Sequence, residues 1–315
     1  MKRFKNILLY TDGKAGSRFA LNRGVDLAKR NQGQLTVVNL LQELPRELLR
    51  LAAAMPSEDI QSMALREVRE RLVSSVASFQ EKGTPVKLEV LYGMPFIELI
   101  RAVLRRRHDL VMMTAEGRSG LREALFGSTS LHLMRKCPCP VWVIKPSRRR
   151  RIARILAAVD PDPLDVVRDG VNSTIMELAT SLAGLDDSEL HVVHAWQVCD
   201  QTVLRGWQAR ATEAQVDDWA EQTCAAHQRR FDELLGKFNL KNLKHRLHLV
   251  EGEAGTTIPH LAGKERIDLV IMGTVARAGL EGYFIGNTAE TVLHRVACSV
   301  LTVKPNGFVS PVKLD

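Results

Sequence analysis

The sequence predicts an α/β fold of two tandem domains, each built on a doubly wound, parallel, five-stranded sheet. Three observations support this prediction. The chain has 315 residues, enough for about two domains of ordinary size. Short apolar runs alternate with helical patterns along it, as they do in βαβ units. The second half of the chain also repeats the first, so the two domains are expected to share one architecture.

The repeat is clearest in two ungapped segments, 109–146 and 268–305, which are identical at 13 of 38 positions. The matched positions include the glycines Gly127 and Gly286. Matches continue upstream with gaps, so that the second copy holds about eleven extra residues. The predicted parts are a first domain, a linker rich in arginine, a second domain and a tail: 1–147, 148–153, 154–305 and 306–315.

Five apolar runs in the first copy, each bounded by turn residues, are typical of buried parallel strands. They are Ile7–Thr11, Leu35–Asn39, Val86–Leu91, Leu110–Met113 and Val141–Ile144. Four helical patterns lie between them, and the third begins at a proline, which is favoured at the first helical position. They run from Ser17 to before Gly33, from Ile60 to Phe79, from Pro95 to His108 and from Ser130 to Lys136.

The second copy repeats this order, and an apolar stripe marks its long helix. The stripe consists of Val216, Trp219, Ala220, Cys224, Phe231 and Leu234. In an open parallel sheet, a ligand binds beyond the carboxyl ends of the strands, where the strand order reverses. The candidate functional residues are therefore those that follow the first and fourth strands of each copy.

Composition excludes several classes of protein. Apolar residues make up 45% of the chain and charged residues 25%, which is typical of a soluble protein with a core and not of disordered, collagen-like or disulfide-stapled chains. The apolar run Ile7–Tyr10 is too short for a signal peptide, and none is long enough to span a bilayer. Five cysteines without framework spacing favour a reduced, cytoplasmic setting.

The charge is uneven between the copies. Residues 1–150 hold 27 basic and 14 acidic side chains, a balance of +13, whereas residues 151–315 hold 17 and 22, a balance of −5. This asymmetry predicts that the basic half prefers an anionic ligand or partner. Direct nucleic-acid binding is not expected, because basic runs occur here without interleaved aromatic residues or a nucleic-acid motif.

Glycine loops after the fourth strand of each copy contain the candidate ligand residues. In the first copy Thr114–Gly117 is followed by nine residues and then Gly127-Ser128. In the second copy Gly273–Ala276 is followed by nine residues and then Gly286, Asn287 and Thr288. A glycine lets the backbone approach a ligand, and a helix beginning there offers N–H groups and a positive dipole end to a phosphate. Asp12 and Asp160 close the first strands and could accept hydrogen bonds from a base or ribose.

This pattern resembles the universal stress protein family, whose nucleotide loop is Gly-x-x-Gly, nine residues, then Gly-Ser/Thr. The resemblance covers nearly the whole chain twice and is closest to tandem members from proteobacteria. It implies the adenine nucleotide alpha hydrolase-like fold and ATP as the cofactor. It also implies ATP contacts by Asp12, Gly117, Gly127 and Ser128, and by Asp160, Gly273, Gly286 and Asn287 or Thr288.

Both loops depart from the family pattern. Thr114 stands where the first glycine is expected, Ala276 stands where the second is expected, and Asn287 replaces the hydroxyl residue. An alternative interpretation is that both loops are structural relics whose glycines are kept by turn geometry. A second alternative is a module that binds an apolar metabolite or a protein in the same clefts, and a third is a slow ATPase or self-phosphorylating protein.

Other motifs favour structural roles. Cys137-Pro138-Cys139 lacks the two-residue spacing of a redox or zinc pair. His191 and His194 lie three apart on one strand and so face opposite ways, as do His245 and His248. Only one histidine from each pair could therefore meet the other, too few for a metal site. Arg105–Arg107 is predicted to lie in the last turn of a helix, where cations complement the dipole.

The expected function is a cytoplasmic stress-response protein that acts through ligand occupancy and protein partners rather than turnover. The sequence shows no complete Walker loop, nucleophile elbow or zinc-protease motif, and no metal is expected. Single-domain members of the family form homodimers, so this chain resembles a fused dimer. The last strands, Val141–Ile144 and Val300–Val303, are expected to meet, and further self-association is open. The resemblance implies roles in survival of starvation, oxidants and DNA damage.

Overall fold

The structure, a computed structural model, divides into two compact units. One consists of Met1–Arg150 together with Val309–Asp315, and the other of Arg151–Phe308. The described residues are 4–12, 17–41, 60–80, 85–115, 126–145, 151–162, 165–198, 212–274 and 286–314. Residues 148–150 of the predicted linker and the loop residues Gly117 and Ala276 lie outside these ranges.

The first unit alternates strands and helices in the predicted order. Its strands are β1 (Asn6–Tyr10), β2 (Gln34–Leu41), β3 (Val86–Tyr92), β4 (Leu110–Thr114) and β5 (Val141–Ile144). Its helices are α1 (Ser17–Asn31), α2 (Ile60–Gln80), α3 (Pro95–Arg106) and α4 (Ser128–Lys136). Each boundary falls within about two residues of the predicted one, because turn residues and the apolar period mark the ends clearly.

The second unit repeats this plan. Its strands are β6 (Arg154–Ala158), β7 (Glu189–Trp196), β8 (His245–Glu251), β9 (Leu269–Gly273) and β10 (Ser299–Val303). Its helices are α5 (Val166–Asp186), α6 (Glu213–Gly236), α7 (Ala254–Lys264) and α8 (Asn287–Arg295). The apolar stripe of α6 is buried only in its second half: Phe231 is buried, whereas Trp219 is 37% exposed.

Each unit has a five-stranded sheet with parallel pairing. The orders are β3-β2-β1-β4-β5 and β10-β9-β6-β7-β8. Central strands bury consecutive residues, such as Leu8 and Leu9 on β1, because helices cover both faces. The strand order reverses between β1 and β4, and again between β6 and β9. Those two carboxyl ends are therefore the expected ligand crevices, and the predicted fold class is confirmed.

The C-terminal segment belongs to the first unit. Val309–Asp315 groups with residues of that unit, and Arg101 Nε on α3 donates a hydrogen bond to the Lys313 carbonyl oxygen at 3.4 Å. None of the described helices combines the length and the apolar character that crossing a lipid bilayer would need.

Candidate functional site at the carboxyl ends of the strands

In the first unit, Asp12 follows β1 at the crevice and is held by the beginning of α1. Ser17, the buried first residue of that helix, donates its Oγ hydrogen bond to Asp12 Oδ1 at 2.7 Å. The carboxylate therefore has a fixed place beside the end of β4, since β1 and β4 are paired neighbours. The structure places Asp12 at the end of β1, and its contact with a ligand stays a prediction.

Thr114 ends β4 and begins the loop of the first unit. Its Oγ1 atom is buried and has no hydrogen-bond partner among the described residues. The next residue, Ala115, donates its backbone N–H to the Ile144 carbonyl oxygen at 2.8 Å, so the strand end is anchored to β5. An unpaired buried hydroxyl is unfavourable by about 1–3 kcal/mol unless a ligand or water pairs with it.

Helix α4 begins at the far end of the same loop. Gly127 precedes it with a φ of −74°, which any residue adopts, so the backbone does not require glycine there. Ser128 is the exposed first residue of the helix. The Gly127 carbonyl oxygen accepts hydrogen bonds from Ser130 Oγ at 2.8 Å and from the Leu131 N–H at 3.1 Å. First-turn N–H groups have no partner within their own helix, which makes this terminus suited to an anion.

In the second unit, Asp160 occupies the place of Asp12 but is bound by other side chains. The Arg168 guanidinium donates to Asp160 Oδ2 at 2.9 Å and lies 3.6 Å from carboxylate oxygens of both Asp162 and Asp165. Asn172 makes two further hydrogen bonds, of 2.9 and 2.8 Å, with the Asp160 backbone. The carboxylate at this crevice is thus already paired with a cation.

The described ends of the loop in the second unit, Gly273-Thr274 and Gly286, contact other residues of that unit. A Cβ added to Gly273 would lie 2.8 Å from Val171 Cγ1 on α5, so this glycine is needed for helix packing. Thr274 is buried, and its Oγ1 accepts a hydrogen bond from Lys304 Nζ at 2.6 Å. The Gly286 N–H donates to the Thr274 carbonyl oxygen at 3.1 Å. Beyond it, Asn287 and Thr288 begin α8 and are exposed.

Comparison with known proteins shows the family of this chain. The sequence model of the universal stress protein family matches residues 3–145 and 152–304. The chain belongs to the universal stress protein family. It is 26% identical to universal stress protein E of Salmonella typhi over 317 residues, which cover 100% of this chain and 99% of that protein. The universal stress protein E homolog of Haemophilus influenzae is 24% identical over 96% of this chain and 98% of its own.

Solved structures support the fold over nearly the full chain. A candidate universal stress protein of Pseudomonas aeruginosa UCBPP-PA14 matches with a TM-score of 0.71 and 24% identity, covering 97% of this chain and 95% of that one. A universal stress protein of Archaeoglobus fulgidus DSM 4304 matches with a TM-score of 0.59 and 19% identity, covering 95% and 98%. The tandem family architecture predicted from the repeat is therefore confirmed.

This family member also has a histidine cluster beside Asp160 that the sequence did not predict. His194 Nε2 lies 2.8 Å from His227 Nδ1, and His194 Nδ1 lies 3.3 Å from the Val159 carbonyl oxygen. Trp196 stacks on His227 with ring centroids 5.6 Å apart. Burial lowers the pKa of both imidazoles, although the charge of Asp160 acts in the opposite direction. No spacing in the sequence links strand β7 to helix α6, so only the fold reveals this pair.

The other histidine pair behaves as the strand period predicts. His191 faces the opposite side of β7 from His194, and its Nδ1 lies 3.0 Å from His248 Nε2 on β8. Burial lowers the pKa of both rings. His245 turns instead to the Leu243 carbonyl oxygen at 2.9 Å. Within the described ranges, no three or more His, Cys, Asp or Glu residues come together as metal ligands.

The Cys-Pro-Cys segment brings its two sulfur atoms into contact. Cys137 Sγ and Cys139 Sγ are 3.6 Å apart, where α4 ends and before β5 begins. Cys137 is fully buried, whereas Cys139 is partly exposed. The hydrogen bond with Cys137 and burial raise the pKa of the Cys139 thiol, and the charge of Asp109 adds to this. The two sulfur atoms therefore interact with each other, which the spacing in the sequence did not indicate.

The remaining features are surface features of the first unit. The arginine cluster at the end of α3 is partly paired, since Arg106 lies 2.7 Å from Glu89. A groove of about 630 Å³ lies between α2 and β3, lined by apolar side chains and by Arg66, Arg69 and Glu89. Its apolar lining residues are Leu65, Leu72, Val73, Leu88 and Val90.

Proposed function

We propose that this chain is a cytoplasmic stress-response protein whose first unit binds a nucleotide, ATP, and whose second unit has closed its equivalent site. The observation that carries the proposal is the difference between the two crevices. Thr114 Oγ1 is buried and without a partner among the described residues, whereas Asp160 is bound by Arg168 and Thr274 by Lys304. Reduced thiols at the described cysteines favour the cytoplasm.

Charge and helix geometry favour an anion at the first crevice. Residues 1–150 hold 27 basic and 14 acidic side chains. Helix α4 directs its N-terminus to this edge, and Ser128 is exposed there. A triphosphate gains from both features, because the dipole and the net positive field favour negative charge. Asp12 is placed to accept hydrogen bonds from the base or ribose.

The second crevice is proposed to bind no ligand, and its residues are proposed to stabilise the second unit. A ligand would have to displace Arg168 from Asp160, where the guanidinium also lies near two further carboxylates. It would also have to compete with Lys304 for Thr274. Both displacements oppose binding, since each leaves a charged or buried group without its partner. The second unit therefore keeps the family fold without the ligand.

Equilibrium binding of labelled ATP to the full-length protein tests this proposal. Ser128→Glu places a negative charge at the N-terminus of α4, and we expect it to weaken binding by about tenfold. The matched control is Asn287→Glu at the equivalent exposed position of α8, for which we expect no change. No binding by the unmodified chain, or equal losses in both variants, contradicts the proposal.

Occupancy rather than turnover is proposed for this nucleotide. The motifs of an ATP-hydrolysing enzyme are absent from the sequence. Phosphate release should therefore be the same for the unmodified chain and for Ser128→Glu, with both at the rate of ATP alone. Faster release by the unmodified chain favours the slow ATPase instead. The ATP-bound state is proposed to act through regulatory protein partners in starvation, oxidant exposure and DNA damage. Survival of a deletion strain that carries the unmodified chain, compared with one that carries Ser128→Glu, tests that role.

A second candidate function rests on the groove beside α2. Its volume of about 630 Å³ and its apolar lining, with Arg66 and Arg69, fit an apolar metabolite that has an anionic group. Mass spectrometry of the natively purified protein tests this candidate. A retained ligand that is lost in Val73→Glu but kept in Ser128→Glu supports it, and finding only ATP or empty protein counts against it.

A further inference from the structure

The two sulfur atoms at the end of α4 are held in a fixed geometry by the backbone on each side. The Cys137 N–H donates to the Leu133 carbonyl oxygen at 2.8 Å, which fixes this residue to the helix. The Pro140 carbonyl oxygen accepts a hydrogen bond from the Val111 N–H at 3.0 Å, which fixes the other side to β4. Pro138 lies between the cysteines and restricts its own φ. The backbone on each side of the pair is therefore held in place, and the two sulfur atoms lie 3.6 Å apart.

That separation distinguishes two kinds of thiol chemistry. A disulfide has sulfur atoms about 2.05 Å apart, so oxidation would require them to move about 1.5 Å closer. Two thiolates bound to one tetrahedral soft ion at about 2.3 Å lie about 3.8 Å apart. The observed Sγ–Sγ distance of 3.6 Å needs almost no adjustment to reach this arrangement.

We propose that Cys137 and Cys139 together bind one soft, thiol-seeking divalent metal ion of the zinc and cadmium type. Each thiol releases its proton as its sulfur bonds to the ion, so two protons leave and nothing is oxidised or reduced. The proposal concerns the opposite end of α4 from Ser128 and does not depend on nucleotide binding. The hydrogen bond with Cys137, burial and the charge of Asp109 raise the pKa of the Cys139 thiol, so the ion competes with protons for this sulfur and binding should strengthen as pH rises.

The site is partial and is confined to the first unit. Two sulfurs are fewer than the three or four ligands of a structural zinc site, and the part of the chain that the structure describes brings no third ligand of the usual types to them. Open positions on the ion are therefore left for water or for an incoming thiol. In the second unit the equivalent residues are Val296 and Cys298, which supply one sulfur.

Titration of the reduced full-length protein with cadmium alone tests the proposal. Thiolate-to-cadmium absorption in the ultraviolet reports sulfur ligation and does not respond to imidazole pairs such as His191 and His248. Calorimetric titration with zinc gives the affinity and stoichiometry. We expect one equivalent of cadmium with the sulfur signal, and binding weakened by about tenfold or more in Cys139→Ser. Cys139 is the preferred position because it is partly exposed, and Cys137→Ala is the second variant.

Cys298→Ser is the matched control, since it removes the one thiol at the equivalent position of the second unit, and it should bind cadmium as the unmodified chain does. Circular dichroism establishes that each variant remains folded. The proposal is overturned if the unmodified chain gives no sulfur signal or if Cys139→Ser and Cys137→Ala both retain it. It is also overturned if peroxide converts the pair to a disulfide, with a loss of two hydrogens in the intact mass, while cadmium does not bind.

Discussion

The two units resemble each other at the amino edge of their sheets and differ at the carboxyl edge. At the amino edge, Asp109 accepts hydrogen bonds of 2.6 and 3.0 Å from the backbone N–H groups of Lys5 and Asn6. Asp268 accepts bonds of 2.8 and 3.0 Å from the N–H groups that lead into β6. Each carboxylate fixes the beginning of the first strand to the beginning of the fourth.

The carboxyl edge has diverged. Asp12 is bound by the hydroxyl of Ser17, whereas Asp160 is bound by the guanidinium of Arg168. The glycine that packs against Val171 in the second unit is replaced by Thr114 in the first. The duplicates therefore retain the interaction that holds the sheet together and vary the residues that would face a ligand.

The largest expected effect concerns the carboxylate at the amino edge of each sheet. Asp109→Ala and Asp268→Ala should each lower the free energy of unfolding of their unit by about 3 kcal/mol, because two N–H groups lose a charged acceptor. Urea unfolding gives the total change, and hydrogen exchange assigns it to a unit. A loss in one unit that far exceeds the loss in the other contradicts the equivalence of the two edges.

Asparagine substitutions sharpen the same comparison. The two bonds to Asp109 are accepted by separate carboxylate oxygens, whereas the two bonds to Asp268 are both accepted by Oδ2. Asp268→Asn can keep both bonds through its one amide oxygen, so it should be tolerated to within about 1 kcal/mol. Asp109→Asn must place an amide NH2 against an N–H donor, so it should lower the free energy of unfolding by about 2 kcal/mol. Equal effects of the two substitutions would contradict this account.

The next effect concerns the loop after the fourth strand. Gly273→Thr gives the second unit the residue of the first, and its Cβ would lie 2.8 Å from Val171 Cγ1. Overpacking of this kind should destabilise the second unit by about 1–3 kcal/mol. Val171→Ala in the same chain should recover most of the loss because it removes the clashing methyl. The reverse change, Thr114→Gly, should alter the free energy of unfolding of the first unit by less than about 1 kcal/mol. Loss of the unpaired buried hydroxyl stabilises the folded state, whereas the greater backbone freedom of glycine destabilises it.

A smaller effect is expected for the cation at the second crevice. Arg168→Ala removes the guanidinium from among three carboxylates, and its side chain is 24% exposed. Because solvent screens this cluster, the expected loss is about 1 kcal/mol and should decrease with salt. Arg151→Ala is the control, since that side chain is 63% exposed and lies 3.9 Å from Asp187. A loss that does not vary with salt would indicate packing rather than charge.

Sequence reasoning predicts the fold more completely than the site. The strands β1, β4 and β5 are short apolar runs between turn residues, and burial on both faces leaves them no other favourable structure. The repeat then transfers the same order to the second unit. Even the face on which each strand histidine lies follows from the two-residue period, as His191 and His194 show.

The site depends on contacts between distant segments, which neither periodicity nor spacing specifies. Lys304 pairs with Thr274 across 30 positions, and His194 pairs with His227 across 33. In the sequence, Gly273 is a candidate ligand residue, yet the structure gives it a packing reason in Val171. Whether Gly273 also faces a ligand stays a prediction, as do the roles of Asp12, Gly127 and Ser128.

The last comparison concerns pH. Burial lowers the pKa of four described histidines in the second unit and of two in the first. The folded state then binds fewer protons than the unfolded state, so stability is present above the ordinary histidine pKa and decreases as pH falls below it. The second unit should therefore lose more stability than the first on acidification from about pH 7.5 to about pH 5.5.

The His194–His227 pair is the sharpest test of this expectation, because protonation of the ring that accepts the hydrogen bond sets two N–H donors against each other across 2.8 Å. The double variant His194→Gln/His227→Gln should have a smaller difference between its urea midpoints at the two pH values than the unmodified chain. The comparison uses the pH difference within each protein, so any general loss of stability cancels. His294→Gln, at a side chain that is 62% exposed, should leave the difference unchanged. If the double variant keeps the full difference, this pair is not its source, and the other histidine pair of the second unit, His191 and His248, is tested next.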